Sequence, residues 1–434
     1  MKLKLTTALL GASALMMSAS SFAVVDGIAT NGSVAKNLSM NQTYFTMEND
    51  ADIWMNPAYV VKYKAKAYLE DTQFGGANLE TPFGVIGLYL GRTYSGNVAS
   101  YTNRPGYVGG VITADPGTNL PFGAITALEN KFDLFYGMDI GAFDVGLRLN
   151  MNGSSETANN PIVAPTTKDD MEVSASQINI SAGLRMKDMP LDAGMLFSLK
   201  SLTATSALIT STTTDSRTLE GDGSKALSVF ARMRLMEEKK SDLFVSVYYS
   251  LDDDSRKSVV KESVGSTTTT ETMGDSESVM GGMITYNKHM GSTTLMASTG
   301  VGLTTTSQSY KSTTDATINS DSTYTEADVV IPFVLAFESR NLMKSKKWTA
   351  RGSIQRDLGD ATAFEVKNNV SSLTSKSSQT NNIITSIRLG AAYQATKNLT
   401  IDALVSQAQL YNNANPFTVA TGSLLTYFTV SYAM

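Results

Sequence analysis

Apolar and polar residues alternate along most of this chain. Phe132, Leu134, Tyr136, Met138 and Ile140 are apolar, Asp133, Gly137 and Asp139 stand between them, and only Phe135 breaks the rhythm. After a turn of one or two residues at Gly141, Phe143, Val145, Leu147, Leu149 and Met151 alternate with Asp144, Gly146, Arg148 and Asn150. Successive side chains of a strand point to opposite faces, so alternation of this length predicts strands with one apolar and one polar face. Continued along the chain, the pattern predicts sixteen strands, at 58–70, 74–80, 85–93, 131–140, 142–151, 176–187, 191–202, 224–236, 242–251, 278–287, 292–304, 326–338, 347–357, 382–395, 398–411 and 423–434.

Short turns alternate with long polar stretches between these strands. The long ones are 94–130, 152–175, 203–223, 252–277, 305–325, 358–381 and 412–422, with runs such as Thr267–Thr270 and Ser377–Thr380. An all-β chain of this kind reads as a transmembrane, antiparallel, up-and-down β-barrel, with short periplasmic turns, long extracellular loops, apolar faces toward lipid and polar faces toward a lumen. An even strand number puts both chain ends on the short-turn side. If 74–80 is not a strand, fourteen becomes the expected number, with 58–70 inside the lumen.

The chain ends agree with this. Lys2 and Lys4, an apolar Leu5–Met17 and the small-x-small Ser21-Phe22-Ala23 read as a secretory signal peptide over 1–23. Residues 24–57 are expected to be a periplasmic or luminal segment, and 58–434 the barrel. No stretch after Ala23 approaches the roughly 18 apolar residues of a membrane helix. Mean hydropathy is −0.08, as expected when lipid-facing and lumen-facing residues cancel. The chain has no cysteine, which removes disulfides and thiolate chemistry together. Without the two signal-peptide lysines, 33 basic residues face 40 acidic ones, which argues against nucleic acid as a partner.

Asn49-Asp50-Ala51-Asp52-Ile53-Trp54-Met55-Asn56-Pro57-Ala58 resembles the Asp-rich, Asn-Pro-Ala segment that precedes the first strand in barrels related to the FadL long-chain fatty-acid transporters. The resemblance covers about ten residues and implies a plug formed within the lumen by the residues before the first strand. Phe428, Val430, Tyr432 and Met434 share one face of the last strand and resemble the C-terminal signal by which Gram-negative outer-membrane barrels are recognised for insertion, although that pattern usually ends in Phe or Trp. The resemblance implies an integral protein of the cell outer membrane that meets outer-membrane lipid, lipopolysaccharide and the barrel-assembly machinery. Porins of this size, which it is similar to, are often trimers.

Turning the apolar faces outward assigns a lumen lining: Lys62, Lys64, Lys66, Arg148, Arg185, Lys200, Arg232, Arg234, Arg351 and Arg388, with Asp133, Asp139, Asp144, Asp192, Asp328, Glu338 and Asp402. Such residues either bias which ions enter a pore or pair across the wall. His289, the one histidine, falls in a short turn, and nothing points to an enzyme, a metal site or a cofactor. The leading expectation is a porin-like channel, weakly anion-preferring, for passive diffusion of small hydrophilic solutes. The alternatives are a FadL-like carrier of hydrophobic molecules with a luminal plug, and an adhesin or receptor working through Ser/Thr-rich outer loops.

Overall fold

A computed structural model describes residues 50–70, 74–91, 93–94, 105–108, 111–114, 128–161, 168–187, 190–209, 214–221, 224–238, 240–261, 268–314, 317–341, 345–368, 373–380, 385–411 and 420–434. The proposed signal peptide and most of 94–130 lie outside them. Two short helices, a 3-10 turn at Asp50–Trp54 and α1 at Tyr59–Lys62, precede the sheet.

Sixteen antiparallel strands then form one closed barrel. They are β1 Lys66–Glu70, β2 Phe74–Thr81, β3 Gly84–Leu90, β4 Leu128–Asp139, β5 Phe143–Pro161 and β6 Lys168–Met186. Next come β7 Leu191–Ile209, β8 in two pieces (Thr214–Gly221 and Lys225–Glu238), β9 Ser241–Lys261, β10 Thr268–Met290 and β11 Thr293–Thr314. The last are β12 Thr317–Arg340, β13 Trp348–Asn368, β14 in two pieces (Leu373–Thr380 and Thr385–Gln394), β15 Leu399–Tyr411 and β16 Ala420–Ala433. Each pairs with its chain neighbour, and β16 returns to β1 from Lys66↔Ala433 to Glu70↔Thr429, so every strand has a partner on both sides. A short separate hairpin pairs Pro105–Val108 with Val111–Ala114.

Side-chain exposure follows strand parity. On β4, Leu134, Tyr136 and Met138 are exposed, as is Ile140 just beyond it, whereas Asp133 and Phe135 are fully buried. Leu147 and Met151 on β5, Met195 and Leu199 on β7, and Leu335 and Phe337 on β12 continue the exposed apolar band. In water such a band would be costly; in a bilayer it is the required exterior. Tyr432 and Met434 lie in it, Val430 is half-buried, and Phe428 has no described side chain. No helix among the described residues is long and apolar enough to cross a membrane.

Two sequence expectations are corrected. First, 58–70 is not one strand. Asn56 Oδ1 accepts the Ala58 N–H at 3.1 Å, Pro57 fixes its own backbone for a helical start, and Tyr63 N–H donates to Tyr59 O at 3.0 Å. Ala65, at φ 59°, then redirects the chain into β1. Lys62, Lys64 and Lys66 therefore do not form a strand-spaced ladder. Lys62 ends α1, Lys64 pairs with Glu80 at the surface, and Lys66 opens β1.

Second, most of the long polar stretches are strand. β12 alone runs for 24 residues, about 80 Å at strand rise, where crossing a bilayer takes about 9–11 residues. Beyond the bilayer no lipid selects apolar residues, and threonine, β-branched, suits a pleated ladder. The wall continues through Val259↔Thr270, Thr272↔Lys311 and Ser307↔Thr325, inside stretches that composition marks as loops.

Candidate functional site

The described part of the N-terminal segment lies against the inner wall of the barrel, near the end that carries the tight turns. A row of glycines makes room for it. Gly137 on β4 faces Gly146 on β5, which faces Gly183 on β6, which faces Gly194 on β7. A Cβ on Gly137 would lie 2.3 Å from Val60 Cγ1, and one on Gly146 2.2 Å from the Pro57 carbonyl carbon. A Cβ on Gly183 would lie 1.9 Å from Asn56 Oδ1, and the Phe230 ring covers Gly194. The Asn-Pro-Ala segment and Val60 thus touch bare backbone, a close approach that glycine alone permits. Asn56 Nδ2 also donates to Leu184 O at 3.1 Å.

Polar bonds flank this seat. Arg232 on β8 donates from Nη2 to Asp52 Oδ2 at 3.1 Å, to Asp192 Oδ2 at 2.8 Å and to the Tyr59 hydroxyl at 2.6 Å. The Tyr59 hydroxyl in turn donates to Asp192 at 2.6 Å. Asp52, Tyr59 and Arg232 are buried, so the charges meet in low dielectric, where breaking one partner is expensive. On the other side Arg148 donates from Nε to Asp133 at 2.8 Å and from Nη1 to the Trp54 carbonyl at 3.3 Å. The Trp54 ring stands edge-on to Tyr89 at 4.9 Å and to Phe135 at 5.2 Å. Phe135, the break in the β4 alternation, is thus an inward anchor for the luminal segment.

Most of the proposed lining charges are bound to one another. Arg185 pairs with Asp144 at 2.6 Å, Lys200 with Asp252 at 2.6 Å, and Arg351 with both Glu338 and Asp402. Glu338 and Arg351 are direct cross-strand neighbours. Arg234 reaches Glu237 at 2.8 Å and lies over the Phe244 ring. Asp139 sits exposed at the strand end and binds Lys187 there. Asp328 is half-buried on β12 and Arg388 half-buried on β14. His289 lies at the end of β10, bonded to Asp242 at 2.9 Å and Thr294 at 3.1 Å.

Lys62 sits on α1, outside the spanning strands. Its side chain is exposed, and partial desolvation against the inner wall, followed by the charges of Arg185, Arg234 and Arg232, lowers its pKa to about 8.

The inner wall also carries apolar residues that strand alternation assigns to neither lipid nor plug. Phe230, Tyr248, Val279 and Met283 on β8 to β10 are buried in one cluster with Ile53, Trp54, Tyr59 and Val60. Met296, Val334 and Ala336 form a second cluster on β11 and β12. Sequence reasoning missed these residues, the glycine row and the anchor Tyr59, and named Asp52 and Asn56 only as parts of the Asn-Pro-Ala motif, without their wall partners. Their signals were present as glycines and apolar residues at polar-face positions of adjacent strands, but only the register shows that they align.

No protein-family model matches the sequence, and no curated protein matches it. Among solved structures, a FadL homologue from Pseudomonas aeruginosa is similar at a TM-score of 0.40 and 12% identity, over 96% of this chain and 99% of that one. The ferric yersiniabactin uptake receptor FyuA from Yersinia pestis gives 0.35 and 9%, over 84% and 78%. The translocator domain of the autotransporter NalP from Neisseria meningitidis gives 0.28 and 13%, over 68% and 90%.

Proposed function

We propose that this protein is an outer-membrane transport barrel whose lumen is narrowed by its own N-terminal segment, and that it passes molecules with a substantial apolar body. The observation that carries this reading is the seating of residues 50–63 on the glycine row, held by the buried Asp52–Arg232–Asp192–Tyr59 network. An open diffusion pore for hydrophilic solutes has no use for such an obstruction. Its lining would also be polar throughout, whereas Phe230, Met283, Met296 and Val334 point inward here. Charges that pair across the wall leave little fixed field to select anions, which favours the wall-pairing role for Asp144, Arg185, Glu338 and Arg351 over ion selection.

The test is planar-bilayer recording of the full protein beside a variant lacking residues 24–63. The expected result is small or rare conductance steps for the full protein and large, steady ones for the deletion. Equal large steps from both would overturn the plugged reading in favour of an open porin. Liposome swelling in a small sugar should likewise appear only with the deletion.

A further inference from the structure

The turn end of the barrel carries a basic cluster with a different character from the luminal charges. Lys346 and Lys347 lie in the turn between β12 and β13, and Lys397 in the turn between β14 and β15; all three are exposed. Gln394 ties the two turns together. Its N–H donates to Lys347 O at 2.8 Å, and its side-chain Nε2 reaches Lys397 O at 3.4 Å. No carboxylate among the described residues pairs with any of these lysines. Glu338 and Asp402, the nearest acids along these strands, bind Arg351 on the luminal face.

The outer wall beside the lysines is graded. Phe337, Ile354, Leu389 and Ile401 are exposed on the lipid-facing side. Trp348, also exposed, stands at the edge of this band with its ring 4.7 Å from that of Tyr393, its cross-strand partner. Lys347 Nζ lies 5.9 Å from the Tyr393 ring centre. Apolar surface, then a Trp–Tyr pair, then ammonium groups is the order of environments met on leaving a bilayer's hydrocarbon for its headgroups. Three exposed lysines on two turns that Gln394 ties together, without paired acids, complement a phosphodiester.

We propose that the outer face of β13–β15 at the turn end is a binding site for the headgroup of an anionic phospholipid. Lys346, Lys347 and Lys397 contact the phosphate, and Trp348 and Tyr393 hold the glycerol level of the same lipid. The site lies on the outside of the wall, so it stands whether or not the lumen is plugged.

Trp348 is also the reporter, because Trp54, the other tryptophan, is enclosed in the lumen. The protein is reconstituted in phosphatidylcholine vesicles, and tryptophan emission is followed as chain-brominated phosphatidylglycerol or chain-brominated phosphatidylcholine replaces part of the lipid. Three lysines near an anionic headgroup predict quenching by phosphatidylglycerol at a mole fraction lower by at least about tenfold. The triple variant Lys346→Gln, Lys347→Gln, Lys397→Gln should remove that preference and keep the quenching by phosphatidylcholine, which also shows that the barrel has folded and inserted. High salt should weaken the preference in the unmodified protein. Equal quenching by both lipids, or a preference that survives the triple substitution, would overturn the proposal.

Discussion

Gly146→Ala isolates the seat of the luminal segment from the wall that carries it. The new Cβ would stand 2.2 Å from the Pro57 carbonyl carbon, 2.3 Å from Ala58 N and 2.3 Å from Pro57 O. All three are backbone atoms, so no side-chain rotation relieves the clash, and Pro57 has to retreat by about 1 Å in a close-packed contact. Gly183 holds Asn56 equally closely one strand away, so the retreat also strains the Asn56 bond to Leu184 O. Overpacking of this kind costs about 1–3 kcal/mol, and loss of the buried hydrogen bond about 1 kcal/mol more. The sum, about 2–4 kcal/mol, lowers the docked-to-undocked ratio by roughly 30- to 700-fold. The wall itself should be indifferent, because alanine suits a strand at this position. Gly291→Ala is the control: its φ of 61° makes alanine strained in the hairpin turn, but nothing lies within 4 Å of the added carbon. The assay is bilayer conductance with the emission maximum of Trp54. Gly146→Ala should open the channel more often and shift Trp54 emission toward the red, while Gly291→Ala should do neither. Identical behaviour of the two variants would refute the glycine-row seat.

Arg232→Met should leave Asp52 and Asp192 buried without their cation, at a cost of about 3–5 kcal/mol, and raise open probability in the same recordings; adding Asp52→Leu should recover part of that loss. Docking should also depend on Lys62. Its pKa in the docked segment, about 8, lies below the ordinary 10.5, so the undocked state binds more protons between these values. The docked state is therefore favoured increasingly as pH rises through that window, and disfavoured below about 8, where the lysine is charged in both states. Open probability should fall from pH 7.5 to pH 10, and Lys62→Met should flatten the profile.

The barrel was legible in the sequence where one physical demand acts on every second residue. Lipid imposes that demand on Leu134, Tyr136, Met138 and Leu147, and the strand number and the tight turn at Gly141, at φ 86°, follow from it. The weak strand at 74–80 is also present, as Phe74–Thr81, because even glycine-rich chain is held when both neighbours pair with it. Legibility ended where lipid ended. Ser307 and Thr325 pair in the wall beyond the bilayer, yet their composition is that of a solvated loop. The luminal segment was legible as a motif but not as a conformation. Tyr59 to Tyr63 satisfies strand alternation by accident, and the Asn-Pro-Ala turn before it decides in favour of a helix. The seat itself depends on the alignment of Gly137, Gly146, Gly183 and Gly194 across four strands, a relation that only register creates.

A disulfide between Val60→Cys and Gly137→Cys tests the luminal position of the N-terminal segment most directly, and the absence of other cysteines leaves no competing bond. A Cβ on residue 137 stands 2.3 Å from a γ-carbon of residue 60, where a disulfide holds the corresponding atoms about 3 Å apart, so the bond forms after a shift of under about 1 Å. Mild oxidation in intact membranes should give a cross-linked species that migrates as one band after cleavage between the segment and the barrel, and should hold conductance at its lowest level until a reductant is added. Failure of the pair to cross-link, or large, steady conductance while the cross-link is intact, would contradict a plug seated in this lumen.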